Sequence, residues 1–282
     1  MNQSRPPTRH RQDTCTVMVT VYHKNTAREL TECLDSLAAQ TRPAEQILIV
    51  IDGPVGGDLH RVIDDFRDHH PETTVVALPD NRGSGPASRQ GLDHVTGTWL
   101  ARLDADDIAC PERLATQLEF LARHPGISVL GTALAEFEGD TGHVVGIRRL
   151  AENHPDIVRY ATINSPVNHP SCMMRTSAVK DVGGYRDVPK MEDYDLFVRL
   201  IAGGWRLHNL PEPLTYFRMS PEVHSRRTGT DVMASEWAMQ KTLVDSGLIG
   251  PVRAGVNLVA RTGYRLLPKK LLKHAYTALF RR

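Results

Sequence analysis

The chain of 282 residues has no glycine before Gly53 and carries none of three motifs that mark common enzyme classes. The first strand–helix junction therefore lacks the G-x-G-x-x-G turn of dinucleotide-binding proteins and the glycine-rich loop expected of a sugar nucleotidyltransferase. A G-K-[ST] phosphate loop and a G-x-S-x-G nucleophile elbow are also absent. These absences argue against dinucleotide-dependent oxidoreductases, P-loop NTPases and α/β-hydrolases.

Long apolar runs and paired cysteines are missing as well. No run of about 18 apolar residues occurs, and the first fourteen residues lack the apolar stretch of a secretory signal. The four cysteines are widely separated and lie among apolar neighbours, as small core residues do in a reducing compartment. We therefore expect a cytoplasmic protein that is not exported and does not span a membrane.

Charge is balanced overall but uneven along the chain. The net charge of +1 argues against a nucleic-acid binder, because neutralising phosphates needs a clear positive excess. No acidic residue follows Asp245. The cationic residues beyond it are Arg253, Arg261, Arg265, Lys269, Lys270, Lys273, Arg281 and Arg282.

Short apolar segments alternate with amphipathic helical patterns in the first half of the chain. Thr26 and Glu29 have the spacing of a capping box and open one such helix. The alternation predicts an α/β fold with a mostly parallel, doubly wound sheet, which binds ligands beyond the carboxyl ends of its strands. The predicted strands are 14–22, 47–51, 73–78 and 98–103.

The second half of the chain has a looser pattern. It predicts a smaller mixed region with strands at 128–137 and 143–148 and extended structure at 205–218. A helix is predicted over 192–202, ended by Gly203, and further helices are predicted after Asp231.

Three carboxylates directly follow the fourth predicted strand, in Asp104-Ala105-Asp106-Asp107. Ionising all three together is costly unless a cation neutralises them. Oxygen ligands favour Mg²⁺ or Mn²⁺, which usually bridge to substrate phosphates. Taken alone, the segment is equally consistent with a surface turn that caps a helix opening at Pro111.

Polar residues also follow the other strands at the same predicted edge. Asp52 can accept hydrogen bonds from a base or a ribose, although a turn-forming Asp-Gly is the commoner role. In Asn81-Arg82-Gly83, small residues let backbone N–H groups and a guanidinium approach phosphate. An ordinary tight turn fits this loop equally well.

A second carboxylate cluster, Glu192-Asp193-Tyr194-Asp195, opens the predicted helix at 192–202. The helix dipole at this end stabilises negative charge, so we expect a deprotonated carboxylate that can act as a base. Favourable helix electrostatics without any chemistry is the alternative.

Jointly, these features resemble glycosyltransferase family 2, which has the GT-A fold, over roughly residues 16–229. The resemblance is strongest to exopolysaccharide enzymes of the amylovoran and colanic-acid type, which share N-L-P-E-P-L and R-L-L-P-K-K-L-L. The segments that resemble the family are V-T-V-Y, I-D-G-P, N-R-G-S-G-P-A-S-R-Q-G, L-D-A-D-D, P-E-R-L-A-T-Q, N-H-P-S-C-M-M-R, G-G-Y and M-E-D-Y-D-L-F-V-R-L.

The resemblance implies a role for particular residues. Asp193 is implied as the general base with Glu192 beside it, and Asp106 as the ligand of Mn²⁺ or Mg²⁺ with help from Asp104. His224 stands where some relatives carry a further metal ligand, and an ordinary loop histidine is the alternative. The residues implied in donor binding are Thr20, Tyr22, Asp52, Asn81, Arg82, Arg89, Asp104, Ala105, Arg226 and Arg227.

The sequence departs from the family pattern around Tyr22, where P-x-Y-N is common and this chain has V-Y-H-K-N. The resemblance implies residues 1–14 as a flexible tail, 15–228 as the catalytic domain and 229–282 as a basic helical extension. Within the catalytic domain, residues 15–126 form the nucleotide-binding half and 127–228 the acceptor half. No oligomeric state is predicted.

The implied activity is inverting transfer of a sugar from a nucleotide donor, by default a UDP-sugar, to a glycan or a polyprenyl-diphosphate-linked acceptor. A sugar nucleotidyltransferase and a non-catalytic scaffold protein are the rival hypotheses. Apolar and basic residues alternate at helical spacing over 267–281, which predicts contact with the inner face of the cell membrane. A basic helix packed on the protein's own core is the alternative.

Overall fold

The computed structural model describes residues 13–219 and 230–265, which form a nine-stranded sheet flanked by helices. The strands are β1 (Cys15–Val21), β2 (Gln46–Ile51), β3 (Thr73–Ala77), β4 (Trp99–Asp104), β5 (Ile108–Ala109), β6 (Ile127–Phe137), β7 (Val144–Arg148), β8 (Met173–Arg175) and β9 (Arg206–Arg218). The helices are α1 (Ala27–Ala38), α2 (Gly57–His69), α3 (Ser84–Leu92), α4 (Arg113–Arg123), α5 (His154–Ala161), α6 (Thr176–Asp181), α7 (Glu192–Ala202), α8 (Thr230–Asp245) and α9 (Pro251–Arg265).

The strand order is β3-β2-β1-β4-β8-β6-β9-β5, with β7 paired to β6. The first four strands are parallel to one another, and β8 joins β4 in antiparallel orientation. The chain winds outward from β1 to β3 and then returns to place β4 on the other side of β1. This reversal creates a topological switch point between the carboxyl ends of β1 and β4, where ligands of such sheets bind.

Helices cover both faces of the sheet because strand residues alternate between two cores. Val17 and Val19 of β1 pack with α1, α2 and α4, whereas Met18 points to the opposite face. That opposite core contains Leu196 and Phe197 of α7. Strands buried on both faces explain the continuous apolar runs in the sequence, and the predicted α/β fold is confirmed.

The structure corrects several element boundaries. The fourth helix, which was expected to open at Pro111, begins at Arg113 and ends at Arg123. By contrast, the capping box of α1 forms as predicted, with the Thr26 hydroxyl accepting from the Glu29 amide. The predicted halves of the catalytic domain share one sheet, and the domain boundaries stay a prediction.

The four cysteines are free, and three of them are buried. No helix within residues 13–219 and 230–265 is both long and apolar enough to cross a bilayer.

Candidate active site

The switch point brings the ends of β1 and β4 together. Thr20 pairs with Asp104 in the parallel register, and Val21 pairs with Ile51 on the other side, which places Tyr22 beside Asp52. The backbone of Tyr22 is fixed by its amide, which donates to Asn25 Oδ1 at 2.9 Å. The predicted donor-binding residues at these three strand ends therefore share one edge of the sheet.

Asp52 organises the neighbouring loop through its carboxylate. Its Oδ1 and Oδ2 accept hydrogen bonds from the amides of Arg82 and Gly83, each at 2.8 Å, while its carbonyl accepts from Asn81 Nδ2 at 3.0 Å. Gly53 has φ of 78°, and a Cβ there would lie 2.3 Å from the amide nitrogen of Asn81. The loop that precedes α3 is thus pinned against the end of β2.

The acidic turn after β4 has two kinds of carboxylate. Asp107 is buried, and its Oδ1 accepts from the Arg218 amide at 2.9 Å, while Oδ2 has no hydrogen-bond partner among the described residues. Burial raises the pKa of Asp107 well above its usual range, and the charges of Asp106 and Asp104 raise it further. Ala105 points into the core, so only its backbone is available to a donor.

This turn has the oxygen chemistry that a divalent cation needs. Asp104 and Asp106 are partly exposed carboxylates beside a buried third one, an arrangement whose mutual repulsion a cation relieves. No cluster of three or more His, Cys, Asp or Glu residues with metal-binding geometry occurs in the described part of the chain. Mg²⁺ and Mn²⁺ sites at diphosphates commonly use one or two carboxylates, with substrate oxygens completing the shell, so the residues present fit such an ion.

A buried guanidinium lies beneath the carboxylates. Arg102 is fully buried, and its Nη2 donates to Thr20 Oγ1 at 3.3 Å and lies 3.9 Å from Asp104 Oδ1. Its Nε and Nη1 have no hydrogen-bond partner within the ranges that the structure describes. Burial raises the pKa of Glu192, and the positive charge of Arg102 acts in the opposite direction. Arg102 therefore connects the β1–β4 edge electrostatically to the start of α7.

The first turn of α7 packs against the loop and helix that follow β3. A Cβ on Gly85 would lie only 3.1 Å from the Cβ of Glu192. Asp193 Oδ2 accepts from Ser165 Oγ at 3.1 Å. Lys190, just before the helix, has φ of 65°, a left-handed conformation that costs a non-glycine residue about 1–2 kcal/mol.

Burial governs the ionisation of this pair and reverses the expectation based on the helix dipole. It raises the pKa of Asp193 to about 6, although hydrogen bonds from the Tyr194 amide and the Ser165 hydroxyl act in the opposite direction. It raises the pKa of Glu192 to about 7, with a further increase from the charge of Asp193. The charge of Asp104 also raises the pKa of Asp193. The two acidic clusters are therefore close enough to interact.

The last two helices, α8 and α9, contact the segments on either side of Asp193. Asn257 Nδ2 of α9 donates to the carbonyl of Thr162 at 2.9 Å, and Arg261 Nη1 donates to that of Ile163. On α8, Thr242 Oγ1 donates to the buried carboxylate of Asp195 at 2.9 Å. These contacts fix both the start of α7 and the segment that leads to Ser165.

Not every predicted residue joins the site. Arg89 is exposed in the last turn of α3, and no hydrogen bond within the described ranges ties it to the carboxylates. His224, Arg226 and Arg227 lie outside the described residues. Arg218, which precedes these residues in the chain, lies beside the acidic turn, because its Nε donates to the Asp106 carbonyl at 2.9 Å.

Sequence reasoning missed Ser165, Arg102 and the contacts of α9. The arginine directly before Leu-Asp-Ala-Asp was a detectable signal, since a charged residue inside an apolar strand rarely lacks a reason.

Comparison with known proteins agrees with this geometry. The profile of the family described as "Glycosyl transferase family 2" matches residues 16–183. An "uncharacterized glycosyltransferase" of Haemophilus influenzae is 36% identical over 94% of this chain and 98% of its own length. The amylovoran biosynthesis glycosyltransferase AmsE of Erwinia amylovora is 32% identical over 92% of this chain and 97% of its own.

A relative from Escherichia coli is named UDP-Gal:alpha-D-GlcNAc-diphosphoundecaprenol beta-1,3-galactosyltransferase. It is 29% identical to this chain over 94% of the chain and 96% of its own length.

Solved structures share the fold. S. aureus TarS 1-349 in complex with UDP-GlcNAc is 17% identical with a TM-score of 0.69, covering 95% of this chain and 73% of that one. A mannosyltransferase of Pyrobaculum calidifontis in complex with GDP-Man and Mn²⁺ is 17% identical with a TM-score of 0.59, covering 96% of this chain and 81% of that one. Together with the profile match and the full-length relatives, this shared fold confirms the resemblance seen in the sequence, and the chain belongs to glycosyltransferase family 2.

Proposed function

We propose that the protein is a metal-dependent, inverting glycosyltransferase that moves a sugar from a nucleotide-diphosphate donor to a lipid-linked oligosaccharide in cell-surface polysaccharide synthesis. One observation carries the proposal. Asp104, at the switch point, and Asp193, at the start of α7, come from distant parts of the chain, and the charge of one raises the pKa of the other. A sugar donor between them meets carboxylates on both sides.

The donor's nucleotide binds along the strand ends in this account. Tyr22 and Asp52 contact the base, with uridine favoured because the E. coli relative and the TarS complex are both named with UDP-sugars. The loop at Asn81 and Arg82 presents the exposed guanidinium of Arg82 to the diphosphate, while the amides of Arg82 and Gly83 donate to Asp52 and hold the loop in place. Arg226 and Arg227 are proposed as additional diphosphate ligands.

Asp106 and Asp104 would hold the cation, and Mn²⁺ is bound in the mannosyltransferase structure that shares this fold. When bound, Mn²⁺ or Mg²⁺ supplies positive charge that stabilises the diphosphate as a leaving group. His224 stays a prediction as a further ligand. Arg102 contributes a fixed positive charge beneath Asp104 that needs no ion.

Asp193 serves as the general base. Its carboxylate takes the proton of an acceptor hydroxyl, whose oxygen bonds to the anomeric carbon from the face opposite the diphosphate. The bond between that carbon and the diphosphate oxygen breaks with its electron pair, so configuration inverts. Ser165 orients the carboxylate through its hydrogen bond, and Glu192 packs against the start of α3 at Gly85.

The lipid-linked acceptor is inferred from the relatives' names, which mention amylovoran biosynthesis and a diphosphoundecaprenol substrate. A non-catalytic scaffold has no need of two carboxyl groups whose ionisation is made costly by burial. The proposed contact of residues 267–281 with the membrane lies outside the described residues.

Product analysis tests the proposal. The protein is incubated with a panel of nucleotide sugars, Mn²⁺ and lipid-linked acceptors, and the released phosphate compound is identified. We expect nucleoside diphosphate in an amount equal to the sugar transferred. Release of pyrophosphate would instead indicate nucleotidyl transfer, and an absence of acceptor-dependent release with every donor would favour a binding protein.

The acid side of the pH profile depends on Asp193. Because a base works only when deprotonated, a pKa of about 6 predicts that kcat/KM falls tenfold per pH unit below about pH 6. Ser165→Ala removes a hydrogen bond that favours the charged carboxylate, so the limb should move to higher pH. Ser246→Ala, beyond the end of α8, is the control. If kcat/KM of the wild type falls only near pH 4, or falls at the same pH in Ser165→Ala, Asp193 is not the base.

A further inference from the structure

The outward face of α9 is apolar although it faces water. Val252, Val256 and Val259 follow helical spacing on one side and are 82%, 59% and 75% exposed. Gly255 and Ala260 are further exposed residues on this side, and the exposed Arg253 borders it. A surface helix of a globular protein normally presents charged residues outward, so this face has the composition of a contact surface.

The opposite face of α9 cannot turn to bury these valines. Asn257 is buried, and its side-chain amide donates to the Thr162 carbonyl and to Gln240 Oε1 of α8. Arg261 Nε pairs with the buried carboxylate of Glu236 at 2.7 Å. Breaking such buried polar contacts costs several kcal/mol, so the helix is held with its valines outward.

The neighbouring helix α8 also has exposed apolar residues. Trp237 of α8 is 66% exposed, and Met233 one turn earlier is exposed as well. The pairing of Arg261 with Glu236 places this part of α8 alongside the end of α9. Tryptophan is enriched at membrane–water interfaces, where its ring and its N–H group both find suitable surroundings.

The charge of the chain after Asp245 favours a lipid surface over a second copy of the protein as the partner of this face. All charged residues after Asp245 are cationic, eight in number. A second copy meeting the same face across a two-fold axis would add more charge of the same sign, and neither copy has an acidic residue after Asp245 to pair with it. An anionic lipid surface is complementary to the segment, and each cation near it contributes about 1 kcal/mol.

We propose that Val252, Val256, Val259 and Trp237 form a docking face that lies on the anionic surface of a lipid bilayer. The face differs from the tail at 267–281 and is part of the folded body. That this face also brings a lipid-linked acceptor to the active site rests on the proposed function. A helix is about 10–12 Å across, and the inner side of α9 holds the segment leading to Ser165. Docking therefore brings the bilayer surface to within about one helix diameter of the segment that leads to Ser165, which contacts the proposed base.

Vesicle flotation of the full chain tests the docking face. The variant replaces Val252, Val256 and Val259 with serine, and the matched control is Val144→Ser, at a valine 41% exposed on β7. Vesicles contain either phosphatidylcholine alone or equal parts of phosphatidylcholine and phosphatidylglycerol. We expect wild type and control to float with the anionic vesicles, and the triple variant to partition at least about tenfold more weakly.

Trp237 provides a second reading of the same face. Trp99 is buried and Trp205 is partly buried, so a blue shift of fluorescence on anionic vesicles should come mainly from Trp237 and be lost in Trp237→Phe. Equal flotation of the triple variant and wild type would overturn the proposal. So would a wild-type dimer, without lipid, that the serine substitutions convert to a monomer. Flotation involves no turnover, so a failure of the proposed function would leave its result unchanged.

Discussion

Asp193→Asn is expected to slow sugar transfer by roughly 10³-fold while leaving donor affinity nearly unchanged. Asparagine has the same shape as aspartate but cannot accept the acceptor's proton, and general-base catalysis contributes about 10²–10⁴-fold. Donor affinity is kept because the nucleotide contacts lie at the strand ends. Single-turnover rates with lipid-linked acceptor and thermal stabilisation by donor measure the two quantities separately.

The same substitution should stabilise the fold. Burial raises the pKa of Asp193 to about 6, so the folded protein favours the protonated form. Stability from this group is therefore present at low pH and lost as pH rises through about 6. At pH 7 we expect Asp193→Asn to increase the free energy of unfolding by roughly 2 kcal/mol, and the gain should vanish near pH 4.

Asp187→Asn, at an exposed position shortly before α7, is the matched control and should change neither property. Near-normal turnover in Asp193→Asn would remove this residue from the role of base. A stability gain of the same size at pH 4 and pH 7 would show that the folded protein does not disfavour the charged form of Asp193.

Asp106→Asn is expected to lower kcat/KM by about two to three orders of magnitude, because charge stabilisation by a bound divalent ion is worth several kcal/mol. The variant should also lose most of the additional thermal stabilisation that Mn²⁺ gives in the presence of nucleotide diphosphate. Asp68→Asn is the control, since Asp68 is 72% exposed on α2. An Asp106→Asn enzyme that Mn²⁺ stimulates as strongly as wild type would contradict metal ligation by this residue.

Much of the fold could be predicted from the sequence because its signals are local. The four parallel strands are short apolar runs, and α7 begins and ends at the predicted residues because an acidic first turn and two glycines mark its limits. By contrast, β8 has three residues and α6 has six, which is too few for a period to emerge.

The site could be predicted only where its residues follow strands or open helices. Asp104 and Asp193 were recognisable by position, since parallel strand ends share an edge and a helix start favours acidic residues. Ser165 and Arg261 were not, because their roles depend on contacts between distant segments. The raised pKa of Asp193 was missed for the same reason, since its burial arises from packing.

The anomeric configuration of the product shows whether one sugar donor lies between the Asp104 turn and Asp193 and is displaced in a single step. NMR coupling constants of the newly formed linkage, measured with a donor of known configuration, report the outcome. We expect the transferred sugar to have the configuration opposite to that in the donor. A product that keeps the donor's configuration would rule out a single displacement with Asp193 as the base.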